Sequence, residues 1–208
     1  MGRPGGWGRL QCGATNSYVR VPHSAIIQGS TAFTVSAWVR TGSGVTAEQH
    51  IASKSYLSPS NQIGWRFYIH SDVFKFYLSS DGGSSNRCFR DSVTVAASRW
   101  YHVACVFLSS TTCDIYLDGV LSNGSLTGSL VSSVYATTGD LILGAQATTT
   151  TTTQNTFGGS LDDLRIYSRD LSDGEVKELY KSSKNYYKDV LNFRKPKRPI
   201  DSEKFRFR

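Results

Sequence analysis

The chain has 208 residues, of which 39% are hydrophobic, 12% aromatic and 19% charged, and its formal net charge is +7. Apolar residues are numerous enough to build a core, which excludes a wholly disordered protein. A length of about 200 residues suits a single β-rich domain. No run of about 18 consecutive apolar residues is present, so the sequence predicts no membrane-spanning helix and no membrane partner.

The net positive charge is confined to the C-terminus. Residues 1–180 contain 13 basic and 13 acidic residues, which cancel, whereas residues 181–208 contain 10 basic and only 3 acidic ones. The last 28 residues therefore carry the whole charge of +7. We expect a neutral domain over residues 1–180 and a separate basic C-terminal arm, dotted with aromatic residues, over residues 181–208.

Short β-prone segments separated by Gly, Ser, Thr, Asn and Asp dominate the sequence, which is typical of antiparallel β-proteins. Residues 33–40 carry apolar side chains in both alternation phases, which predicts an inner strand. Ser71-Asp72 and residues 109–112 each separate two such segments and predict hairpin turns, and Asp118-Gly119 predicts a third turn. The clearest strands are residues 33–40, 63–70, 73–79, 100–108, 113–118, 141–144 and 160–167.

One short C-terminal helix is predicted. Ser172 and Glu175 have the spacing of a capping box, and Val176, Leu179 and Tyr180 then fall on one helical face. Beyond this point the periodicity ends, which predicts an extended tail. About a dozen strands and one helix indicate a two-sheet antiparallel sandwich.

A threonine run and four cysteines also carry structural information. The six threonines Thr148–Thr153 do not alternate with apolar residues, so they predict an exposed loop or the tip of a long hairpin. The four cysteines show no Cys-x-x-Cys spacing and have no nearby histidine, which argues against zinc. Buried free thiols in strands are favoured over disulfides for Cys12, Cys88, Cys105 and Cys113.

Several segments, taken together and in order, resemble the laminin-G-like branch of the concanavalin A-like lectin/glucanase superfamily. The resemblance covers about residues 10–180 and implies a jelly-roll sandwich of two antiparallel sheets. It leaves the C-terminal arm unexplained. The segments that carry it are YVRVP (18–22), FTVSAWV (33–39), IASK (51–54), WYHVA (100–104), IYLDG (115–119), and GGSLDDLRIY (158–167) with RDLS (169–172) and Glu175.

Some members of this superfamily bind calcium, and the resemblance places Asp162 where a late acidic residue often contributes. The acidic residue common in the opening strand is missing here, since residues 10–18 read LQCGATNSY. Calcium favours six to eight oxygen ligands, usually including carboxylates. We therefore expect no cofactor, with a calcium ion at Asp162 as the alternative.

The sequence does not predict an enzyme. The superfamily's glucanases place paired carboxylates on one strand, where they act as acid and nucleophile. This chain has only four glutamates, and the predicted helix and arm hold three of them: Glu175, Glu178 and Glu203. His102, within WYHVA, is interpreted as a packed strand residue.

A carbohydrate-binding surface is a second possibility. Such a surface needs exposed aromatic rings beside a few polar groups, and the candidates are Trp65, Arg66, Asn61 and Arg87. The competing interpretation is that the aromatic residues of these strands form the core, because burying each ring stabilises the fold by ~2–3 kcal/mol.

The arm suggests a different function. Aromatic residues spaced among charges suit a segment clamped on neighbouring protein subunits, while phosphate contact with nucleic acid is a weaker alternative. The candidate residues are Lys184, Tyr186, Tyr187, Lys188, Phe193, Arg194, Lys195, Lys197, Arg198, Phe205, Arg206 and Phe207.

These features lead to one main hypothesis and one alternative. The N-terminus lacks the apolar run of a secretory signal, so we expect a part of a large assembly built in a host cytoplasm. The leading hypothesis is a phage virion surface, decoration or cement protein, oligomeric or bound to its assembly, with the sandwich exposed and the arm as its anchor. The alternative is an extracellular lectin module with a glycan ligand.

Overall fold

The computed structural model describes residues 10–12, 17–28, 30–57, 61–149 and 151–192, except for the side chains of residue 26 and residues 185–192. A single 3-10 turn spans Ala25–Ile27, and the helix α1 spans Asp173–Asn192. The strands are β1 (Leu10–Gln11), β2 (Val19–Val21), β3 (Ala32–Arg40), β4 (Gln49–Tyr56), β5 (Gln62–His70), β6 (Val73–Gly82), β7 (Arg87–Thr94), β8 (Trp100–Leu108), β9 (Thr112–Leu117), β10 (Val120–Leu121), β11 (Asn123–Gly128), β12 (Leu141–Leu143), β13 (Gln146–Ala147), β14 (Thr153–Gln154) and β15 (Ser160–Tyr167).

Two large antiparallel sheets form the molecule. The six-stranded sheet has the order β1-β15-β3-β8-β9-β10, and the seven-stranded sheet has the order β11-β7-β6-β5-β4-β12-β2. The strands β13 and β14 form a small hairpin of their own. The predicted all-β, two-sheet sandwich is therefore confirmed.

The core lies between the sheets and is built largely by alternation along the strands. On β3, which sits between β15 and β8, every second side chain points inward, and Phe33 is 1% exposed. The Phe33 ring meets the ring of Trp65 from the other sheet at 5.8 Å and that of Phe107 at 5.8 Å. The predicted inner strand is thus confirmed. Its fully buried partners across the core include Phe67, Ile69, Phe74, Phe76 and Leu78.

The predicted turns form as expected. Ser71 and Asp72 adopt φ angles of 54° and 62°, and Asp118 and Gly119 adopt 52° and 77°. Paired left-handed residues match the twist of two-residue hairpins. They place β5 beside β6 and β9 beside β10.

The helix α1 covers the outer face of the six-stranded sheet and is longer than predicted. The capping box is present, since the Ser172 amide donates to Glu175 Oε2 at 2.9 Å. Val176 is fully buried in a cluster with Ala104, Val106 and Tyr116 of the sheet. The helix continues for 20 residues to Asn192, so the prediction that helical order ends after Tyr180 is wrong.

The misjudged end of α1 has a physical cause. Ser183 occupies the next inward position of the helix and is only 5% exposed, and its hydroxyl accepts a hydrogen bond from Trp38 Nε1 at 3.1 Å. A polar residue at an inward position hides the apolar period in the sequence. His102 and Tyr180 complete this contact, with rings 5.9 Å apart, and the burial of His102 confirms its packing role.

The remaining sequence features also have defined places. Thr148 and Thr152 face each other at the tip of the β13–β14 hairpin, where their hydroxyls lie 2.5 Å apart, which confirms a hairpin tip. All four cysteines are buried free thiols. In the part of the chain described, no helix is long and apolar enough to cross a membrane.

Candidate ligand groove on the seven-stranded sheet

Alternation along β5 sends its predicted site residues to opposite faces. Trp65 points into the core and is fully buried, so the structure contradicts its assignment to a binding surface. The reason is that Trp65 fills the space under Phe33 between the sheets. Arg66, the next residue, lies on the outer face, where it pairs in register with Ser53 and Tyr77.

Internal contacts occupy Arg66. Its guanidinium carbon lies 5.3 Å from the centre of the Tyr77 ring. The amide of Gln146 lies 2.9 Å from Arg66 Nη2, a distance at which its oxygen accepts a hydrogen bond. Burial is the main cause that lowers the pKa of Arg66. This arginine therefore supports the sheet and its covering hairpin rather than presenting a free cation.

A second polar cluster fixes the same hairpin. His50 stacks on Tyr68 with ring centres 5.0 Å apart, and its Nε2 lies 2.7 Å from Glu48 Oε1. That hydrogen bond is the main cause that lowers the pKa of Glu48, whereas burial lowers the pKa of His50. Asn155 also donates to Glu48 at 3.0 Å. The cluster ties the segment after β14 to the outer face of the sheet.

Further along this face, aromatic rings alternate with cations. Tyr77 on β6 stacks on Phe89 of β7 with a centroid distance of 6.3 Å and an interplanar angle of 9°. The Arg87 guanidinium lies 5.9 Å from the Tyr77 ring centre. Lys75 lies 5.5 Å from the Phe89 ring centre and is neutralised by Asp91 at 2.7 Å. Among these cations, Arg87 is the exposed one.

A groove of about 590 Å³ opens beside Arg87 and Phe89. Its walls come from the β6–β7 turn, the end of β11 with the loop that follows, and the β8–β9 turn. Hydroxyl groups dominate the lining, with a guanidinium at one end. The lining residues are Ser80, Ser84, Ser85, Asn86, Arg87, Phe89, Ser110, Thr127, Gly128, Ser129, Leu130, Val131 and Ser132.

The carboxylate of Asp81 organises the turn that forms one wall. It accepts hydrogen bonds from the backbone amides of Gly83 at 2.8 Å and Asn86 at 3.0 Å, and from the Ser79 hydroxyl at 2.9 Å. These bonds, led by that from Gly83, lower the pKa of Asp81. Asp81 is thus committed to the turn, and the serines of the turn are left to face solvent.

The sequence indicates Arg87 as a site residue but does not indicate the groove. Its walls come from three separate parts of the sequence, residues 80–89, Ser110 and residues 127–132, and the pairing of β7 with β11 brings the first and the last together. The one local signal is the run GGSSN at residues 82–86, which indicates a turn but no ligand. Asn61 is exposed in the loop before β5 and does not line the groove.

Comparison with known proteins agrees with this architecture. A family profile described as the concanavalin A-like lectin/glucanases superfamily, laminin G type, matches residues 13–177. The chain belongs to this superfamily. The predicted resemblance is therefore confirmed over most of the domain. Among curated proteins, none matches the sequence of this chain.

Solved structures similar to this concanavalin A-like domain include three toxin binding domains. The binding domain of Paraclostridial Mosquitocidal Protein 1 has a TM-score of 0.64 at 19% identity, with 85% of this chain and 43% of that chain covered. The binding domain of botulinum neurotoxin serotype G has a TM-score of 0.60 at 18% identity, with 84% of this chain and 42% of that chain covered. The binding domain of botulinum neurotoxin DC, in complex with SialylT, has a TM-score of 0.58 at 16% identity, with 84% of this chain and 42% of that chain covered. The domain spans less than half of each of these chains, and the likeness concerns the fold.

Asp162, the predicted calcium ligand of the domain, lies at a bulge in β15. Its carboxylate accepts a hydrogen bond from the Asp163 amide at 2.9 Å, and Asp163 in turn holds Arg165 through two bonds of 2.8 and 2.9 Å. Within the described ranges, no three His, Cys, Asp or Glu side chains form a group that could hold a metal ion. The contacts shown at Asp162 thus serve the bulge.

Few of the arm residues can be placed in this concanavalin A-like domain. Lys184 is exposed on α1, where its Nζ donates to the Tyr180 hydroxyl at 2.7 Å. Tyr186, Tyr187 and Lys188 belong to the same helix. The other candidates lie outside the described residues: Phe193, Arg194, Lys195, Lys197, Arg198, Phe205, Arg206 and Phe207.

Proposed function

We propose that the domain is a non-enzymatic binding module that takes a glycan in the serine-lined groove. The observation that carries the proposal is the composition of the groove: hydroxyl groups on three walls, the Phe89 ring and the Arg87 guanidinium. Sugars offer many hydroxyls and one apolar ring face, which match hydrogen-bonding side chains beside an aromatic ring. The similarity to toxin binding domains supports a binding module.

The positions of the acidic and basic groups support a role without catalysis. Glu48 precedes β4, whereas Glu175 and Glu178 lie on α1, so the described glutamates do not pair across a cleft. His50 and His102 are 0% and 2% exposed, out of reach of a substrate. Burial is the main cause that lowers the pKa of His102 to about 4.

A glycan array tests this proposal directly. Ser129 is exposed in the groove, and Ser129→Trp would fill the space that a sugar needs. Ser168→Trp, at an exposed position beyond β15 and away from the groove, is the matched control. We expect binding by the native protein and by the control variant but not by Ser129→Trp. Equal binding by all three proteins, or by none, contradicts the proposal.

We also propose that the arm joins the domain to a larger assembly, with a phage virion as the setting. The whole net charge of +7 lies in residues 181–208, and α1 leads from the sandwich directly into this segment. The first residues of this basic segment, up to Asn192, belong to α1. In this arrangement the arm contacts neighbouring protein subunits, and the groove stays exposed for its ligand.

Truncation after Asn192 tests the assembly role. It keeps all of α1, including the Ser183 contact with Trp38 that holds the helix on the sheet. Sedimentation should show a higher-order species for the full chain and a monomer for the truncated one. The same size for both proteins contradicts the assembly role. Steep loss of arm binding to nucleic acid with salt would favour the nucleic-acid alternative instead.

A further inference from the structure

We infer that the groove is specific for an acidic glycan and that Arg87 binds its carboxylate. This inference rests on the proposed glycan-binding function and narrows its ligand class. It is carried by the charge arrangement around the groove, which differs from what a neutral sugar requires. Hydroxyls and an aromatic ring suffice for a neutral sugar, whereas an exposed guanidinium adds a fixed positive charge.

The lining of the groove carries one positive charge and no negative one. Its 13 lining residues include one cation, Arg87, and no Asp, Glu or Lys. The carboxylate of the nearby Asp81 accepts hydrogen bonds within its own turn, and Asp91 is paired with Lys75. Among the ion pairs of the described residues, none involves Arg87.

The guanidinium of Arg87 lies over an aromatic ring. Its guanidinium is placed by the Tyr77 ring at 5.9 Å, and the Phe89 ring stacks parallel to that of Tyr77. Contact with a ring restrains the side chain while its N–H groups remain free to donate. A guanidinium can hold a carboxylate through two parallel hydrogen bonds, which an ammonium group cannot do. The neighbouring Phe89 then offers a surface for the sugar ring.

Two variants separate charge from shape. Arg87→Gln removes the cation but keeps a polar side chain, and Arg87→Lys keeps the charge but removes the planar fork. Arg40, exposed on β3 of the other sheet, supplies the control Arg40→Gln. The probes are sialylated and uronic-acid oligosaccharides on an array, each as the free acid and as its methyl ester. The ester keeps the sugar and removes only the negative charge.

We expect binding to free acids and at least tenfold weaker binding to the matching esters. Arg87→Gln should weaken acid binding by about tenfold or more, Arg87→Lys by less, and Arg40→Gln should leave it unchanged. Equal binding to acids and esters, with Ser129→Trp still inactive, overturns the acidic specificity but leaves glycan binding intact. Absence of binding to every arrayed glycan, neutral ones included, overturns both proposals.

Discussion

Trp38 and Ser183 are 145 residues apart in sequence, yet the Trp38 indole donates a hydrogen bond to the Ser183 hydroxyl at 3.1 Å. The contact joins the central strand of one sheet to the third turn of α1. Tyr180, one turn earlier, places its ring 5.9 Å from that of Trp38. The helix is therefore fixed to the sheet at Ser183 as well as at Tyr180.

Replacing Ser183 by alanine should destabilise the fold. The Trp38 indole would lose an acceptor in a mostly buried site, which costs about 1–2 kcal/mol. The neighbouring Ser182 is the matched control, because it lies on the exposed side of α1 and makes the same type of bond to the backbone three residues earlier. Urea denaturation should show a lower free energy of unfolding for Ser183→Ala and little change for Ser182→Ala. Equal losses in both variants would contradict the role of the indole contact.

The start of the helix α1 could be predicted from the sequence, but its full length could not. Strand patterns and turn residues predicted both hairpins and the inner strand β3, since alternation and left-handed turns leave local signals. The capping box likewise marked the start of α1. Its continuation past Tyr180 includes a tertiary hydrogen bond from Trp38 to Ser183, and a polar residue in the buried stripe leaves no apolar signal at that position.

Trp65 and Arg87 should separate stability from binding. Trp65 is fully buried against Phe33, so Trp65→Phe leaves a cavity and lowers the free energy of unfolding by about 1–3 kcal/mol. Glycan affinity of the folded protein should stay near that of the native chain. Arg87→Gln, at an exposed position, should weaken acidic-glycan binding with little change in the urea midpoint. If Trp65→Phe instead lost glycan affinity at unchanged stability, Trp65 would belong to the binding surface.

The candidate site was only partly predictable for the same reason. Aromatic residues in a strand have the same sequence pattern whether they face the core or solvent. The register across the whole sheet decides which face they occupy. Arg87 could be proposed from its polarity. The serines around it come from turns whose proximity depends on the β7–β11 pairing, so the groove emerges only in the folded chain.

Lys54 should make stability depend on pH in the alkaline range. Its amino group is buried, where it donates to His23 Nδ1 at 3.0 Å and to the carbonyl of Gly139. Burial lowers its pKa from 10.5 to about 8, and the charge of Asp140 opposes this shift. The folded state releases its proton first, so between pH 8 and 10.5 the unfolded chain holds more protons. The free energy of unfolding should therefore rise with pH across this window.

Lys54→Met isolates this contribution from other groups that titrate at alkaline pH. In urea denaturation from pH 7 to 11, the midpoint of the native protein minus that of Lys54→Met should increase as pH rises. Lys177→Met, at an exposed position of α1, is the control for loss of a positive charge. A difference between the two midpoints that stays constant with pH would show that burial does not shift the titration of Lys54.

Gly128 should be required for the shape of the groove. Its φ angle is +83°, and a Cβ placed there would lie 2.2 Å from the carbonyl oxygen of Arg87. Gly128→Ala forces a left-handed conformation on alanine at a cost of about 1–2 kcal/mol, and relief of the clash must also displace the start of β7. Gly44→Ala is the control, because no heavy atom lies within 4 Å of its Cβ position. We expect lower stability and weaker glycan binding for Gly128→Ala alone. A stable Gly128→Ala protein with native affinity would show that this close approach does not shape the groove.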